Sequence, residues 1–110
     1  MNECPRLFLV ATLAGRIAGY SIAVADATRA ELVSIAVHPR YQRRGVARAL
    51  LAHTITLLRG EAVRQFWLTV RPANAGAIRL YASFGFRHVR RVKNYYGRNR
   101  DGKRMRLFLS

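Results

Sequence analysis

Two apolar runs at strand spacing, 7–13 and 17–25, are separated by Ala14-Gly15-Arg16, a composition suited to a hairpin. Asp26-Ala27-Thr28 signals a second turn. A third strand is expected over 31–37, carrying Leu32, Val33, Ile35 and Val37, and Pro39 ends it because proline donates no ladder hydrogen bond. The period then lengthens. Over 45–59, Val46, Ala49/Leu50, Ile55 and Leu57/Leu58 recur every three to four residues, which predicts an amphipathic helix closed by Gly60. A fourth strand is expected over 65–70 and a second helix over 75–84, capped by Asn74 and terminated by Gly85. Strands over 86–93 and 105–109 follow, joined by a polar hairpin with Asp101-Gly102. The predicted order is βββαβαββ, in one α/β (α+β) domain over 1–110 without repeats or linkers.

Composition changes this picture in one respect. Twenty Lys and Arg, eighteen of them Arg, face five Asp and Glu, for a formal charge of +15. Such a surplus favours nucleic acid, an anionic surface or a phosphate-rich small ligand, and it equally suits plain solubilisation, since the cations are spread along the chain. Cys4 is the single cysteine, so no internal disulfide forms and a reducing cytoplasm is the default setting. No apolar stretch approaches the ~20 residues that span a bilayer, so no membrane partner is expected. Arg6 followed by the run 7–14 has a leader-like flavour, but the run is short and a second strand pattern follows at once. His38 and His53 lack metal-ligand spacing, and no metal is expected.

Chemistry concentrates where the third strand gives way to the first helix, at Gln42-Arg43-Arg44-Gly45-Val46-Ala47-Arg48. A helix N-terminus presents backbone N–H groups without partners and the positive end of the dipole. Gly45 and Ala47 keep side chains away from that backbone, while Arg43, Arg44 and Arg48 add positive charge. The arrangement suits a pyrophosphate. It also suits a solvated, arginine-rich helix start. The P-loop string G-x-x-x-x-G-K-[ST] and the three-glycine dinucleotide fingerprint are both absent. On the second helix, Asn74, Ala77/Ile78 and Tyr81 share one face, with Asn74 and Tyr81 about 10 Å apart along the axis. A long ligand could span them; a cap and a core tyrosine would use the same residues.

Taken together, Ile35-Ala36-Val37-His38-Pro39, residues 41–51, Trp67-Leu68-Thr69-Val70-Arg71, Asn74, Ala77-Ile78, Leu80-Tyr81, Phe84-Gly85-Phe86 and Asn94-Tyr95-Tyr96 resemble the GNAT superfamily of N-acetyltransferases. Within it they are similar to bacterial ribosomal-protein-alanine N-acetyltransferases. The resemblance implies a mixed, mostly antiparallel sheet in which 31–37 and 65–70 form a splayed parallel pair, with two main helices. It implies acetyl-CoA as cosubstrate, with the backbone of Ile35, Ala36 and Val37 along the pantetheine. The segment Gln42, Arg43, Arg44, Gly45, Val46, Ala47 and Arg48 would hold the pyrophosphate. Asn74 and Ala77 would lie on the pantetheine arm. Tyr81 would be the general acid for the departing thiolate. Thr69, Tyr95 and Tyr96 fall on the acceptor side, and the acceptor would be the α-amine of a protein or peptide.

Two departures from the pattern matter. Where the ribosomal-protein enzymes carry a glutamate base, this chain has Thr69, which takes no proton at neutral pH. Glu31 matches the position of the base in histone-type relatives and is the expected substitute, acting through water. The lack of a base at 69 favours an α-amine, with a pKa of about 7.7–8.0, over a lysine amine, whose deprotonation at pH 7 costs ~4–5 kcal/mol. Secondly, the match starts near the second family strand, without the usual N-terminal strand and helical pair; this implies either a truncated reading frame or a partner subunit that fills that wall, which would make a homodimer. The tail 85–110 carries nine cations and one acid, which suits RNA contact or a solvated hairpin. Readings with a small amine or aminoacyl-tRNA as acceptor, or with coenzyme A or nucleic acid bound without turnover, use the same features.

Overall fold

The computed structural model describes residues 6–109; Cys4 lies outside them. Its elements are β1 (Arg6–Leu13), β2 (Arg16–Asp26), β3 (Arg29–Val37), a 3-10 turn (Pro39–Tyr41), α1 (Val46–Gly60), β4 (Gln65–Val70), α2 (Ala75–Ser83), β5 (Arg87–Val92) and β6 (Gly102–Phe108). The order βββαβαββ is as the sequence predicts, apart from the added 3-10 turn. All six strands join one sheet in the order β1-β2-β3-β4-β6-β5, and only β3 and β4 run parallel.

Local chemistry accounts for the hairpins. Ala14 and Gly15 both take positive φ, the mirror-image turn whose twist matches the flanking strands. The β5–β6 hairpin is tied by Asp101, which accepts from the Asn94 amide at 2.9 Å and pairs with Arg91. The Asn94 N–H, then Arg91, holds the Asp101 carboxyl below the ordinary range. Strand β6 begins at Gly102 rather than Met105. A Cβ at Gly102 would sit 2.5 Å from Thr69 Cγ2, so only glycine lets β6 approach β4 this closely.

The first helix buries Val46, Leu50, Leu51, Thr54, Ile55 and Leu58. The expected periodicity is met by Val46, Leu50, Ile55 and Leu58; of the paired alternatives Ala49 and Leu57 are exposed, and Leu51 and Thr54 widen the stripe. Thr54 is tolerated there because its hydroxyl bonds Leu50 O at 2.8 Å and meets Ser21 Oγ at 3.3 Å. Helix α1 also runs through Gly60, and the left-handed residue that closes it is Ala62, not the glycine. The chain has to turn there to drive Val63 into the core, where only 4% of it remains exposed. At the end of α2, Gly85 does take the expected positive φ. The core is centred on Phe66, Phe86, Leu51, Leu58 and Leu68.

One feature of the sheet positions the site. Pairing between β3 and β4 covers only Arg29↔Gln65, Ala30↔Phe66 and Glu31↔Trp67. Beyond Glu31 the strands diverge. Ser34 pairs with Ile22 and Leu32 with Ala23, so Val33 is an extra residue in β3, and such a bulge bends the strand that carries it. The edge of β3 facing β4 is therefore left without a neighbouring strand along its second half.

Candidate active site

Divergence of β3 and β4 opens a cleft of about 460 Å³. One wall is Ile35, Ala36 and Val37; the floor is Gln42, Arg43, Gly45, Val46, Ala47 and Arg48; the other wall is Asn74, Ala77 and Tyr81 on α2. Twelve of the thirteen residues expected to contact the cofactor thus line a single cavity. Arg44 does not, because its guanidinium turns back over the Tyr41 ring, 6.0 Å from the centroid.

The floor is built by the backbone. His38 Nδ1 accepts from the Arg40 amide at 3.1 Å and starts the 3-10 turn. Arg43 and Gly45 both adopt left-handed φ, 65° and 77°, which turns the chain sharply into the start of α1. Gly45 is the N-cap of α1 and makes no side-chain cap bond. The first helical hydrogen bond runs from Ala49 N to Gly45 O at 2.9 Å, so the N–H groups of Val46, Ala47 and Arg48 have no intrahelical acceptor. The loop is solvent-exposed from Gln42 to Gly45. Arg48 crosses to α2, donating to Ser83 Oγ at 3.3 Å and stacking on Phe84, and so ties the two helices across the floor.

On the far wall, Asn74 is both cap and lining. Its Oδ1 accepts from Ala77 N at 3.2 Å, which leaves the amide NH₂ as its remaining donor. Tyr81 is only 6% exposed and is held by Phe86, which stacks in turn on Phe66. Among the described residues no hydrogen bond engages its hydroxyl. Burial, and then the nearby Tyr96, pushes the Tyr81 phenol above its ordinary value of 10.0. In the unfolded chain this phenol titrates near 10, so the proton it retains on folding favours the native state below about pH 10, and that contribution disappears as the pH rises through the higher folded value. Melting temperatures measured from pH 8 to 11 should hold level and then fall, and fall less in Tyr81→Phe.

A second cleft of about 330 Å³ opens on the other side of the splay, lined by Thr69, Arg71 and Tyr96 and sharing Ile35, Asn74 and Tyr81 with the first. The two cavities therefore meet at Tyr81. Tyr96 donates to Thr69 O at 3.1 Å, which brings these two expected acceptor-side residues together. Tyr95 stands apart: it is 52% exposed, edge-on to Tyr96, and packs over Gly102.

Glu31, expected as the base acting through water, has a different setting. It lines neither cleft. It sits in a separate recess with Trp67 and Arg104, and Arg104 engages both of its oxygens while also donating to Thr69 Oγ1 at 3.2 Å. The cause is tertiary: Arg104 faces Thr69 across the β4–β6 ladder, and Glu31 is the last β3 residue still paired with β4. Residues 41, 76 and 80 also line the first cleft and were not foreseen. Gly76 carried a legible signal, since a glycine inside a helix costs about 1 kcal/mol against alanine and marks a place where backbone must stay uncovered.

This splayed sheet with an uncapped helix at its mouth defines an acyltransferase-type fold. The chain belongs to the Acetyltransferase (GNAT) family, whose model matches residues 1–86. It is 45% identical over 82 residues to the [Ribosomal protein bS18]-alanine N-acetyltransferase of Escherichia coli (strain K12), across 74% of this chain and 55% of that one. The chain spans about half the length of the curated relatives it matches. The crystal structure of the ribosomal-protein-S18-alanine N-acetyltransferase from Escherichia coli superimposes with a TM-score of 0.88 at 40% identity, covering 96% of this chain and 70% of that one. Ard1 from Thermoplasma volcanium follows at a TM-score of 0.86 and 31% identity, covering 92% and 69%.

Proposed function

We propose that this chain transfers the acetyl group of acetyl-CoA to the α-amine of a protein N-terminus. The observation that carries the proposal is the meeting of two clefts at Ile35, Asn74 and Tyr81, which suits a donor entering from one side and an amine from the other. Relatives named as alanine N-acetyltransferases support the choice of acceptor.

The residues fit the group. The amides of Val46, Ala47 and Arg48 have no intrahelical acceptor, and nothing lies within 4 Å of where a Gly45 Cβ would be, so the approach of a pyrophosphate to the backbone is open. The unpaired edge of β3 at 35–37 offers backbone donors and acceptors to an extended amide-bearing arm, as a sheet edge does to an added strand. When bound, acetyl-CoA supplies an activated thioester. Tyr81, protonated throughout the neutral range, gives its hydroxyl proton to the sulfur as the carbon–sulfur bond breaks and regains one from solvent. The attacking amine forms the new carbon–nitrogen bond and releases its own proton to water. No carboxylate among the described residues lines either cleft, which is tolerable for an α-amine because about a tenth of it is already neutral at pH 7.

Acetyl transfer to matched peptides with free or blocked N-termini tests this reading. Free amines should be consumed with one thiol released per acetyl transferred. Thiol release no faster than background hydrolysis with every free peptide would end it. Gly45→Asp places a carboxylate at the cleft mouth and should weaken coenzyme A binding about 10- to 100-fold by titration calorimetry relative to Gly45→Asn, which carries the same strain at this left-handed φ without the charge. Unchanged affinity in that variant would remove the loop from the site.

A further inference from the structure

Thr69 stands on β4 just beyond the last β3–β4 pair, half-buried and lining the second cleft together with Tyr81. Strand β6 holds its side chain from two sides. The methyl group occupies the space that a side chain at Gly102 would take. The hydroxyl oxygen accepts from Arg104 Nη1 at 3.2 Å. A β-branched side chain has few staggered positions, and these two contacts select one of them. Arg104 is fixed in turn, since its Nη2 donates to Glu31 at 2.8 Å and its guanidinium lies 4.7 Å from the Trp67 centroid. A guanidinium only donates, so the Thr69 hydroxyl keeps its own proton to give. Among the described residues no acceptor takes that proton, and Tyr96 engages the Thr69 carbonyl instead, at 3.1 Å.

We infer that the Thr69 hydroxyl donates to the carbonyl oxygen beside the reacting amine, and that Arg104 is the positioning residue that aims it; this rests on the acyl-transfer reading given above. An oxygen that accepts a charge-assisted bond becomes a better donor through its own proton, because linked hydrogen bonds polarise one another. A carbonyl is the group that fits. With an α-amine at Tyr81, where the clefts meet, the first carbonyl of a peptide sits directly behind it on the side from which the peptide enters. A lysine side chain, a polyamine or a simple alkylamine carries no such oxygen. It would strip water from the hydroxyl and return no bond, which costs binding. Thr69 therefore selects an amine by the group next to it, whatever the charge of the residues that follow. It takes no proton from the amine and holds the carbonyl side of the acceptor.

The test uses the full chain and a matched pair of acceptors with the same free N-terminus. One is a normal peptide; in the other an alkene isostere replaces the first peptide bond, which keeps the shape and removes the oxygen. Each variant is compared on both, so the intrinsic reactivity of the two amines cancels. Thr69→Val, close in shape, should lower kcat/KM for the normal peptide about three- to tenfold, mostly through KM, and change the isostere less than about twofold. Thr69→Ser should restore most of the loss. Arg104→Lys keeps a charge for Glu31 without the planar fork that reaches Thr69 as well, and should repeat the Thr69→Val pattern with no added loss in the double variant. A purely structural part would lower both acceptors alike. Equal losses for peptide and isostere in Thr69→Val overturn the inference and leave the acyl-transfer reading standing; losses that add in the double variant remove Arg104 from it. Should Arg104→Lys fail to fold, the Thr69 variants alone decide. Thiol release at background with both acceptors in the parent protein would bring down both readings.

Discussion

Tyr81→Phe should lower kcat for acetyl transfer by about 10²- to 10⁴-fold while coenzyme A affinity stays within about twofold. The phenyl ring remains, still packed on Phe86 at a centroid distance of 5.8 Å, so the change removes one hydroxyl that no described protein group bonds. Folding should therefore be little altered. The rate is another matter. A departing thiolate, with a pKa of about 8.5 in free thiols, needs a proton donor or a hydrogen bond as charge builds on sulfur, and a hundredfold loss corresponds to about 2.7 kcal/mol of that stabilisation. Burial keeps the phenol protonated through the neutral range, so its contribution should not fade between pH 6 and 9. Steady-state kinetics beside calorimetric titration separate the two effects. Turnover within threefold of the parent would mean that the leaving group takes its proton from water instead.

Phe66→Ala should cost about 3–5 kcal/mol of folding stability, the largest single loss expected in the molecule. Phe66 is fully buried near the start of β4 and lies 5.5 Å from the Phe86 ring. Removing it leaves a cavity between the sheet and the turn after α2, where the neighbours are fixed by backbone and collapse only in part. Against a total of about 5–15 kcal/mol for a domain of this kind, that is a large share. Because Phe86 also holds Tyr81, activity should fall even where the protein remains folded. Phe66→Leu keeps most of the volume and should lose less than about 1.5 kcal/mol. Denaturant midpoints with unchanged slopes would measure both. Equal losses for the two variants would mean that the site repacks freely and the aromatic chain to Tyr81 is not rigid.

The cofactor wall was legible in sequence because its elements are local. A glycine ahead of an amphipathic run marks a helix start, and Asn74 to Tyr81 lie on one helix whose geometry is fixed by its period. Such short-range rules mark the loop at 42–48 and one face of α2; the family resemblance implied the rest, including Ile35, Ala36 and Val37, and twelve of the thirteen expected residues line one cavity. Arg44 escaped them because a long side chain can turn either way, and a neighbouring ring settled the direction. The closing of α1 escaped as well, since the demand to bury Val63 outweighed the intrinsic preference of Gly60.

Glu31 marks the boundary most clearly. Its place at the head of β3 was readable, and its partner was not: Arg104 lies 73 residues on and reaches it only through the β4–β6 ladder. Separation in sequence likewise hides the junction of the two clefts at Tyr81 and the Arg104 bond that fixes the Thr69 hydroxyl. Sequence alone determined the order of elements, the helix mouth and the face of α2, because each depends on residues a few positions apart. Only the tertiary structure decided which charges are neutralised and which stay available, because ion pairing depends on contacts between strands that the chain brings together from far apart.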